Sequence, residues 1–189
     1  MIKTASKSFS FLFSFIVVGI IFYYFIYTNP DFGFLYKNSE QETYLVKKVI
    51  DGDTFLLNNG KKVRLLGIDT PEQYDSDKLE EDALSSGKDK KTIKKLGKLA
   101  SNFVKELVEG KKVILKKEPN YEERDKYDRL LRYVYLEDGT FVNGKIIQDG
   151  YGQVYERFPI SKTEEFREYQ KEARENKRGL WGDIEGFGK

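Results

Sequence analysis

The fold is set by residues 44–72, which read YLVKKVIDGDTFLLNNGKKVRLLGIDTPE. Three runs in this stretch are rich in residues that favour β-strands, and turn residues separate each run from the next. The runs cover residues 44–50, 54–57 and 61–68. The turns are Asp51-Gly52-Asp53 and Asn58-Asn59-Gly60, where Gly, Asn and Asp reverse the chain at low steric cost. The stretch therefore predicts a meander of three short strands.

Downstream of this meander, helical and strand patterns alternate. Apolar residues recur at three- and four-residue steps between Ile93 and Leu107, which indicates an amphipathic helix that ends at Gly110. Residues 74–91 are polar and show no periodicity, so they are interpreted as a loop. Two further strands are predicted over 111–116 and 130–136, and two further helices over 142–150 and 163–176. Five short strands and about three helices predict an α+β fold, a five-stranded OB-type β-barrel.

The residue types that are missing limit the chemistry. The chain of 189 residues contains no cysteine and no histidine, which excludes disulfides, thiolate metal sites and every catalytic triad built on imidazole. Acid–base catalysis would then fall to carboxylates, lysine or tyrosine, and a metal ion would need oxygen ligands, as Ca²⁺ and Mg²⁺ prefer. The formal net charge is only +2, so any nucleic-acid binding would have to rest on local patches.

The N-terminal segment is unlike the remainder. Residues 9–27 read FSFLFSFIVVGIIFYYFIY, long enough as a helix, at about 1.5 Å per residue, to span the hydrocarbon core of a bilayer. Lys3 and Lys7 precede it, so the positive-inside rule leaves the N-terminus in the cytoplasm and the rest outside. This favours an uncleaved anchor in the cell membrane, with a cleaved signal peptide and secretion as the alternative. The predicted parts are an anchor or signal segment (1–28), a linker (29–42), an OB-type domain (43–182) and a tail (183–189).

Two acidic turns carry the candidate chemistry. Asp51-Gly52-Asp53 admits a plain hairpin turn, an EF-hand or phosphatase loop, or a turn whose Asp53 supplies one ligand to a site completed elsewhere. Phe55 stands where either loop signature needs another residue type, which argues against the second interpretation. Asp69-Thr70-Pro71-Glu72 directly follows a strand, and its proline biases the preceding threonine towards an extended conformation that could turn a carbonyl towards a cation. Alone, this second turn is mostly typical of a strand end.

Two arginines make the combination more specific than either turn. Arg64 precedes Asp69 by five residues, and Arg129 lies just before the last predicted strand. Together with other short segments, this set resembles the thermonuclease (staphylococcal-nuclease-like) family over about Tyr44 to Trp181. The matching segments are Ile50–Thr54, Arg64–Glu72, Asp125–Arg129, Val142-Asn143 and Gly179-Leu180-Trp181. The resemblance departs at Asp128, where many relatives have Gly, so a carboxylate is expected beside the second arginine.

The resemblance implies a calcium-dependent phosphodiesterase on an OB-type barrel that cleaves DNA and RNA. The implied metal ligands are Asp53, Asp69 and the Thr70 backbone carbonyl, and the implied catalytic residues are Arg64, Glu72 and Arg129. The glutamate would act as general base or orient the attacking water. The arginines would bind the scissile phosphate and stabilise the charge that it gains in the transition state. Residue chemistry agrees, since metal-assisted phosphodiester hydrolysis needs no histidine.

Substrate contacts are predicted in two places. The lysine-rich stretch 88–98 offers Lys94 and Lys95 as backbone contacts, with a solvated helix face as the alternative. The nucleotide-stacking tyrosines of the family match Tyr155 and, less closely, Phe158, with core packing as the alternative. The expected partners are DNA and RNA, preferably single-stranded or denatured, and no protein partner is implied. The alternative functions are a non-catalytic nuclease-like nucleic-acid-binding domain and a calcium-dependent phosphatase.

Overall fold

The structure is a computed structural model of the chain, and it describes residues 23–25, 28 and 42–182. The chain divides between Gln41 and Glu42 into two units, and the barrel lies within the second. Most of the predicted transmembrane stretch 9–27 lies outside the described residues, as do the predicted tail and nearly all of the linker. Within the described part of the chain, no helix has the length and apolar character needed to cross a membrane.

Five strands form a closed barrel, which confirms the predicted OB-type α+β architecture. They are β1 (Thr43–Val49), β2 (Thr54–Leu57), β3 (Lys62–Leu65), β5 (Lys112–Lys116) and β6 (Leu130–Leu136). Their order around the barrel is β1-β2-β3-β6-β5. Neighbouring strands are antiparallel except β3 and β6, which run parallel. The predicted meander supplies the first three strands of this order.

The predicted third strand, over residues 61–68, is interrupted in the structure. Gly67 has a φ of +72°, a conformation that only glycine adopts readily. The chain therefore leaves the barrel after Leu65 and resumes as β4 (Ile68–Asp69), which pairs antiparallel with β7 (Gln153–Val154) in a separate two-stranded sheet. This break places Asp69 beyond the barrel wall instead of at the end of a barrel strand.

Four α-helices accompany the barrel within residues 42–182, one more than expected. They are α1 (Asp77–Ser86), α2 (Lys90–Val108), α3 (Val142–Gln148) and α4 (Thr163–Glu175), followed by a 3₁₀ turn at Gly179–Trp181. Helix α1 shows that the loop predicted over 74–91 is wrong. Ser76 caps the helix by accepting the Leu79 N–H at 3.2 Å, and Gly87 ends it with a φ of +67°.

A continuous apolar core joins the barrel to α2, α3 and α4. Val104 of α2, Ile146 of α3 and Phe166 of α4 pack into the same cluster as the inward side chains of the strands. One polar side chain is fully buried there, that of Asn143. It donates to Leu66 O at 3.0 Å and accepts the Val134 N–H at 2.9 Å. Because buried polar groups need partners, this amide fixes the chain beside the strand break that leads to Asp69.

Candidate active site

The predicted site residues converge on one large cleft. Its volume is about 1030 Å³, and it is lined by the turn before β2, the end of β3 and the segment after it, helix α1, and the loops before β6 and after β7. The predicted residues that line it are Asp53, Arg64, Asp69, Thr70, Glu72, Arg129, Tyr155 and Phe158. Lys94 and Lys95 lie on α2 and are not among the lining residues. Lys94 instead pairs with Asp75 at 2.6 Å.

Arg64 holds two buried carboxylates together. Its Nη1 atom lies 3.2 Å from Asp53 Oδ1, and its Nη2 atom lies 3.5 Å from Asp69 Oδ1. Nη1 also donates to the Ile68 carbonyl at 2.9 Å. The arginine projects from β3, whose pairing with β2 brings it opposite Thr54, the residue next to Asp53. The barrel register therefore positions the first acid, and the break at Gly67 brings the second to the same guanidinium.

Burial and nearby charge move the pKa values of these acids in different directions. Burial raises the pKa of Asp53, but the positive charges of Arg64 and Lys78 outweigh it and hold that pKa below its ordinary value. For Asp69, burial prevails over Lys78, the Asp53 charge adds to it, and the pKa is raised. Burial, together with the Asp53 charge, also raises the pKa of Asp51 to about 7. The site thus concentrates negative charge on Asp53 and leaves its acidic neighbours easier to protonate.

Thr70 ties the second acidic turn to the first. Its backbone N–H and its hydroxyl both donate to Asp53 Oδ2 at 3.3 Å. A Cβ atom at Gly52 would lie only 2.6 Å from Thr70 Oγ1, far inside any normal contact. The glycine between the two aspartates is therefore required by the close approach of Thr70. Hairpin geometry and ligand placement, two of the alternatives open for this turn, are compatible with each other.

Two helices support the backbone of Glu72. Its Oε1 atom accepts the N–H groups of Gln73 and Tyr74 at 2.7 and 2.9 Å. Its own N–H donates to Asp82 Oδ2 of α1 at 3.2 Å. On the other side, a Cβ added at Gly97 of α2 would lie 2.7 Å from the Glu72 carbonyl oxygen. One sequence signal pointed to this contact, since a glycine within an amphipathic helix indicates a packing or functional constraint.

Lys78 is a site residue that the sequence did not indicate. From the first turn of α1, its Nζ atom donates to the Thr70 carbonyl at 2.6 Å and lies 3.3 Å from Asp69 Oδ1. It also lies 3.5 Å from Asp82 Oδ2. Burial lowers the pKa of Lys78, but the surrounding carboxylates outweigh it and the pKa is raised. The ammonium is therefore charged.

The donor set fits a calcium ion. The structure's described part contains no group of three acidic, histidine or cysteine residues arranged to hold a metal. It does bring together two carboxylates and one backbone carbonyl, from Asp53, Asp69 and Thr70. These are hard oxygen donors, which Ca²⁺ accepts alongside water molecules. The Lys78 ammonium contacts Asp69 and the Thr70 carbonyl and acts as a stand-in cation, so the oxygens of these two residues face one shared position.

The carboxylate expected beside Arg129 belongs to a different ion pair. Arg129 Nε and Nη2 each lie 2.7 Å from Asp125 Oδ2, and Nη1 donates to Thr54 Oγ1 at 3.3 Å. Asp128 has a φ of +63°, and its side chain is 85% exposed and pairs with Arg124 at 3.0 Å. A left-handed backbone at this position favours glycine. Asp is among the few other residues that tolerate this conformation, so Asp128 can take the place of the glycine.

Aromatic side chains line another part of the cleft. The ring centroids of Tyr155 and Phe158 are 6.2 Å apart, and the Phe158 ring is exposed. Tyr121 and Tyr127 also line the cleft and were not singled out from the sequence. The Arg129 Cζ atom lies 5.3 Å from the centroid of the exposed Tyr127 ring. The cleft therefore combines a cationic and acidic centre with rings on which a base could stack.

Comparisons with known proteins agree on one family. A family model described as "Staphylococcal nuclease homologue" matches residues 62–183. The thermonuclease of Staphylococcus intermedius is 34% identical over 172 residues, covering 88% of this chain and 93% of that protein. The thermonuclease of Staphylococcus hyicus is 33% identical over 151 residues, covering 78% and 80%. Endonuclease YhcR of Bacillus subtilis (strain 168) is 29% identical over 147 residues, which is 74% of this chain but 11% of that protein.

Proposed function

Because the chain belongs to the staphylococcal nuclease homologue family, whose model covers residues 62–183, we propose that it is a calcium-dependent nuclease hydrolysing phosphodiester bonds of DNA and RNA. Relatives named thermonuclease and endonuclease support nuclease function in general. The observation that carries the proposal is the position of Arg64, which binds Asp53 and Asp69 in the cleft that also contains Glu72 and Arg129. One cavity is thus lined by the proposed metal ligands, the proposed base and both arginines.

The proposed metal ligands are Asp53, Asp69 and the Thr70 carbonyl. When bound, Ca²⁺ supplies positive charge that polarises the phosphate and neutralises the charge it gains. Both carboxylates are buried and both pair with Arg64, which holds them in position for this role. Thr70 keeps its carbonyl in place because its N–H and hydroxyl are fixed on Asp53.

Glu72 is the proposed general base. One of its carboxylate oxygens, Oε1, is fixed by two backbone N–H groups, which leaves Oε2 for a proton from the attacking water. The two arginines are the proposed phosphate ligands, since a guanidinium binds phosphate oxygens through paired donors. Asp125 orients the Arg129 guanidinium from one edge. The planar group is thereby held in one orientation before substrate arrives, which is the condition for electrostatic stabilisation of the transition state.

The proposed substrate is single-stranded or denatured nucleic acid. Tyr155, Phe158 and Tyr127 line the cleft, and stacking on such rings requires bases that are not held in a duplex. Lys94 and Lys95 remain proposed contacts for the nucleic-acid backbone farther along the strand.

The proposed location is the outer side of the cell membrane. The apolar stretch 9–27 would be a single-pass anchor with the N-terminus inside, and the nuclease domain would begin near residue 43. Secretion after signal cleavage is the alternative. Expressing the chain with a C-terminal tag and fractionating the cells tests this proposal. Tag in the membrane fraction that is digested by external protease supports an anchor, whereas shortened protein in the medium supports cleavage.

Nuclease activity of the full chain in detergent tests the proposed chemistry. We expect release of acid-soluble nucleotides from denatured DNA in Ca²⁺ and none in excess chelator. Glu72→Gln should lower kcat by about 10²–10⁴, the range for a lost general base. Glu106→Gln, an exposed carboxylate on α2, is the matched control and should leave kcat unchanged.

Three outcomes would contradict parts of the proposal. Full activity in chelator would reject the calcium mechanism. Turnover of a simple phosphomonoester but not of a polynucleotide would indicate a phosphatase. Tight binding of denatured DNA without cleavage would indicate a non-catalytic nuclease-like binding domain.

A further inference from the structure

The Lys78 ammonium occupies a position defined by three oxygen-bearing groups. It donates to the Thr70 carbonyl at 2.6 Å and lies 3.3 Å from Asp69 Oδ1 and 3.5 Å from Asp82 Oδ2. The first two groups belong to the proposed calcium site. The third belongs to the same helix as Lys78 and also accepts the Glu72 N–H at 3.2 Å.

We propose that Lys78 is a tethered cation that competes with Ca²⁺ for Asp69 and the Thr70 carbonyl, and so sets the affinity of the metal site. This inference rests on the proposed calcium site. An ammonium that donates to the Thr70 carbonyl uses one of that oxygen's two lone pairs and puts a positive charge where a metal ion would bind. Two cations at the same oxygens also repel each other strongly in a partly buried site. Calcium binding therefore requires the Lys78 side chain to leave these oxygens.

Helix α1 makes such a departure possible. Leu79 is the one side chain of α1 that is buried, so little apolar area holds the helix against the rest of the domain. Lys78 itself is 35% exposed, compared with 14% for Arg64 on the opposite side of the same acids. A flexible lysine stem can turn outwards at low cost, whereas the arginine is fixed by the strand beneath it. The two cations of the site are therefore not equivalent: Arg64 stays with the acids and Lys78 exchanges.

Population arithmetic gives the size of the expected effect. If the ammonium is away from the oxygens about a tenth of the time, the apparent Kd for Ca²⁺ is about tenfold higher than it would be with the Lys78 side chain always turned away. Replacing Lys78 with a residue of similar length and no charge removes this competition. It also leaves Asp69 without its ammonium partner, so the calcium-free variant should unfold at a lower temperature while added Ca²⁺ should raise its Tm by more.

Calcium titration calorimetry on the full chain in detergent, at constant ionic strength, tests the proposal without using activity. We expect Lys78→Met to bind Ca²⁺ about tenfold more tightly than wild type. Lys90→Met is the matched control, because Lys90 forms an ion pair with Glu80 of α1 but does not contact the proposed ligands. It should leave the Kd unchanged.

A second measurement uses the unaltered protein and so does not depend on the variants folding. The acetylation rate of the Lys78 amine, followed by mass spectrometry, should rise on addition of saturating Ca²⁺ relative to that of Lys90 in the same sample. Equal or weaker calcium affinity in Lys78→Met, or an unchanged acetylation ratio under saturating Ca²⁺, would overturn the role of Lys78 and leave the calcium site standing. No heat and no Tm change with Ca²⁺ in wild type or Lys78→Met would instead overturn the calcium site itself.

Discussion

The cleft has a barrel side and a helix side, and they hold their charges in different ways. On the barrel side, Asp53 directly precedes β2, Arg64 projects from β3, which pairs with β2, and both side chains are largely buried. On the helix side, Lys78 and Asp82 come from α1, which buries only Leu79. Stability and chemistry are thus tightly coupled on the barrel side. On the helix side the charges sit on a helix with one buried side chain, so we expect the calcium affinity to be adjustable there without loss of the fold.

Removing Arg64 should give the largest effect, because this substitution lowers both the stability of the fold and the catalytic rate. Arg64→Ala leaves Asp53 and Asp69 buried without their shared partner, and breaking such a pair costs about 3 kcal/mol. It also removes a transition-state donor, worth at least about 10² in kcat. Urea denaturation and kinetics on denatured DNA measure the two effects. Arg124→Ala removes an arginine that pairs with the exposed Asp128 and should change neither. Loss of activity at unchanged stability would break the proposed coupling on the barrel side.

Gly97→Ala tests whether α2, which packs against the Pro71 and Glu72 backbone, positions the proposed base. The new Cβ would lie 2.5 Å from the Pro71 carbonyl oxygen and 2.7 Å from that of Glu72, so the backbone that carries Glu72 must shift. Overpacking of this kind costs about 1–3 kcal/mol, partly offset by about 1 kcal/mol of helix propensity. A displaced base can lower kcat by about 10².

The kinetic pattern separates positioning by Gly97 from a purely structural role. We expect kcat to fall while KM stays close to the wild-type value, because the substrate contacts lie elsewhere in the cleft. Lys98→Ala, an exposed neighbour on α2, is the control and should leave both unchanged. A destabilised Gly97→Ala protein with normal kcat would show that the glycine serves only packing.

The same two sides differ in how far the sequence predicted them. The barrel side follows from local rules, since residues that favour β-strands mark the strands and Asp-Gly-Asp marks the turn. Helix α1 follows no such rule, because Leu79 is its one buried side chain and Leu84 is 85% exposed. A helix without an apolar stripe leaves no periodicity to detect. Lys78 and Asp82 were therefore missed as site residues, since only the folded chain brings them to Asp69 and Glu72.

Two other differences come from single glycines. The predicted strand over 61–68 runs through Gly67 to the apolar Ile68, and the positive φ of the glycine shows where the chain leaves the barrel. Gly97 was counted within a helix, as the structure has it, but the backbone of Pro71 and Glu72 that it accommodates is remote in sequence. Glycines mark such contacts without identifying the partner. The sequence therefore predicted which residue types form the site better than it predicted which backbone contacts hold them in place.

Asp125→Asn gives a smaller effect on the barrel side that depends on pH. Burial raises the pKa of Asp125, but its hydrogen bonds and charge pairing with Arg129 outweigh burial and lower it. A lowered folded-state pKa means that the ionised carboxylate stabilises the fold above its unfolded pKa of about 3.9. This contribution is lost as the pH falls through the folded-state value. Urea denaturation should show a loss of about 1 kcal/mol at pH 7, shrinking towards zero in strong acid. A constant difference across this range would contradict the assigned role.

Asp128 should give the smallest effect, since its carboxylate is exposed and paired with Arg124. Asp128→Asn keeps a residue that tolerates the φ of +63° and removes only the charge. We expect kcat/KM on denatured DNA to stay within about twofold of wild type, the change expected for a screened surface charge. Asp128→Ala loses that tolerance and should lower stability by about 1 kcal/mol. If Asp128→Asn instead raised kcat/KM tenfold at low salt, the carboxylate would be repelling substrate from Arg129, and the helix side would not be the only adjustable part of the cleft.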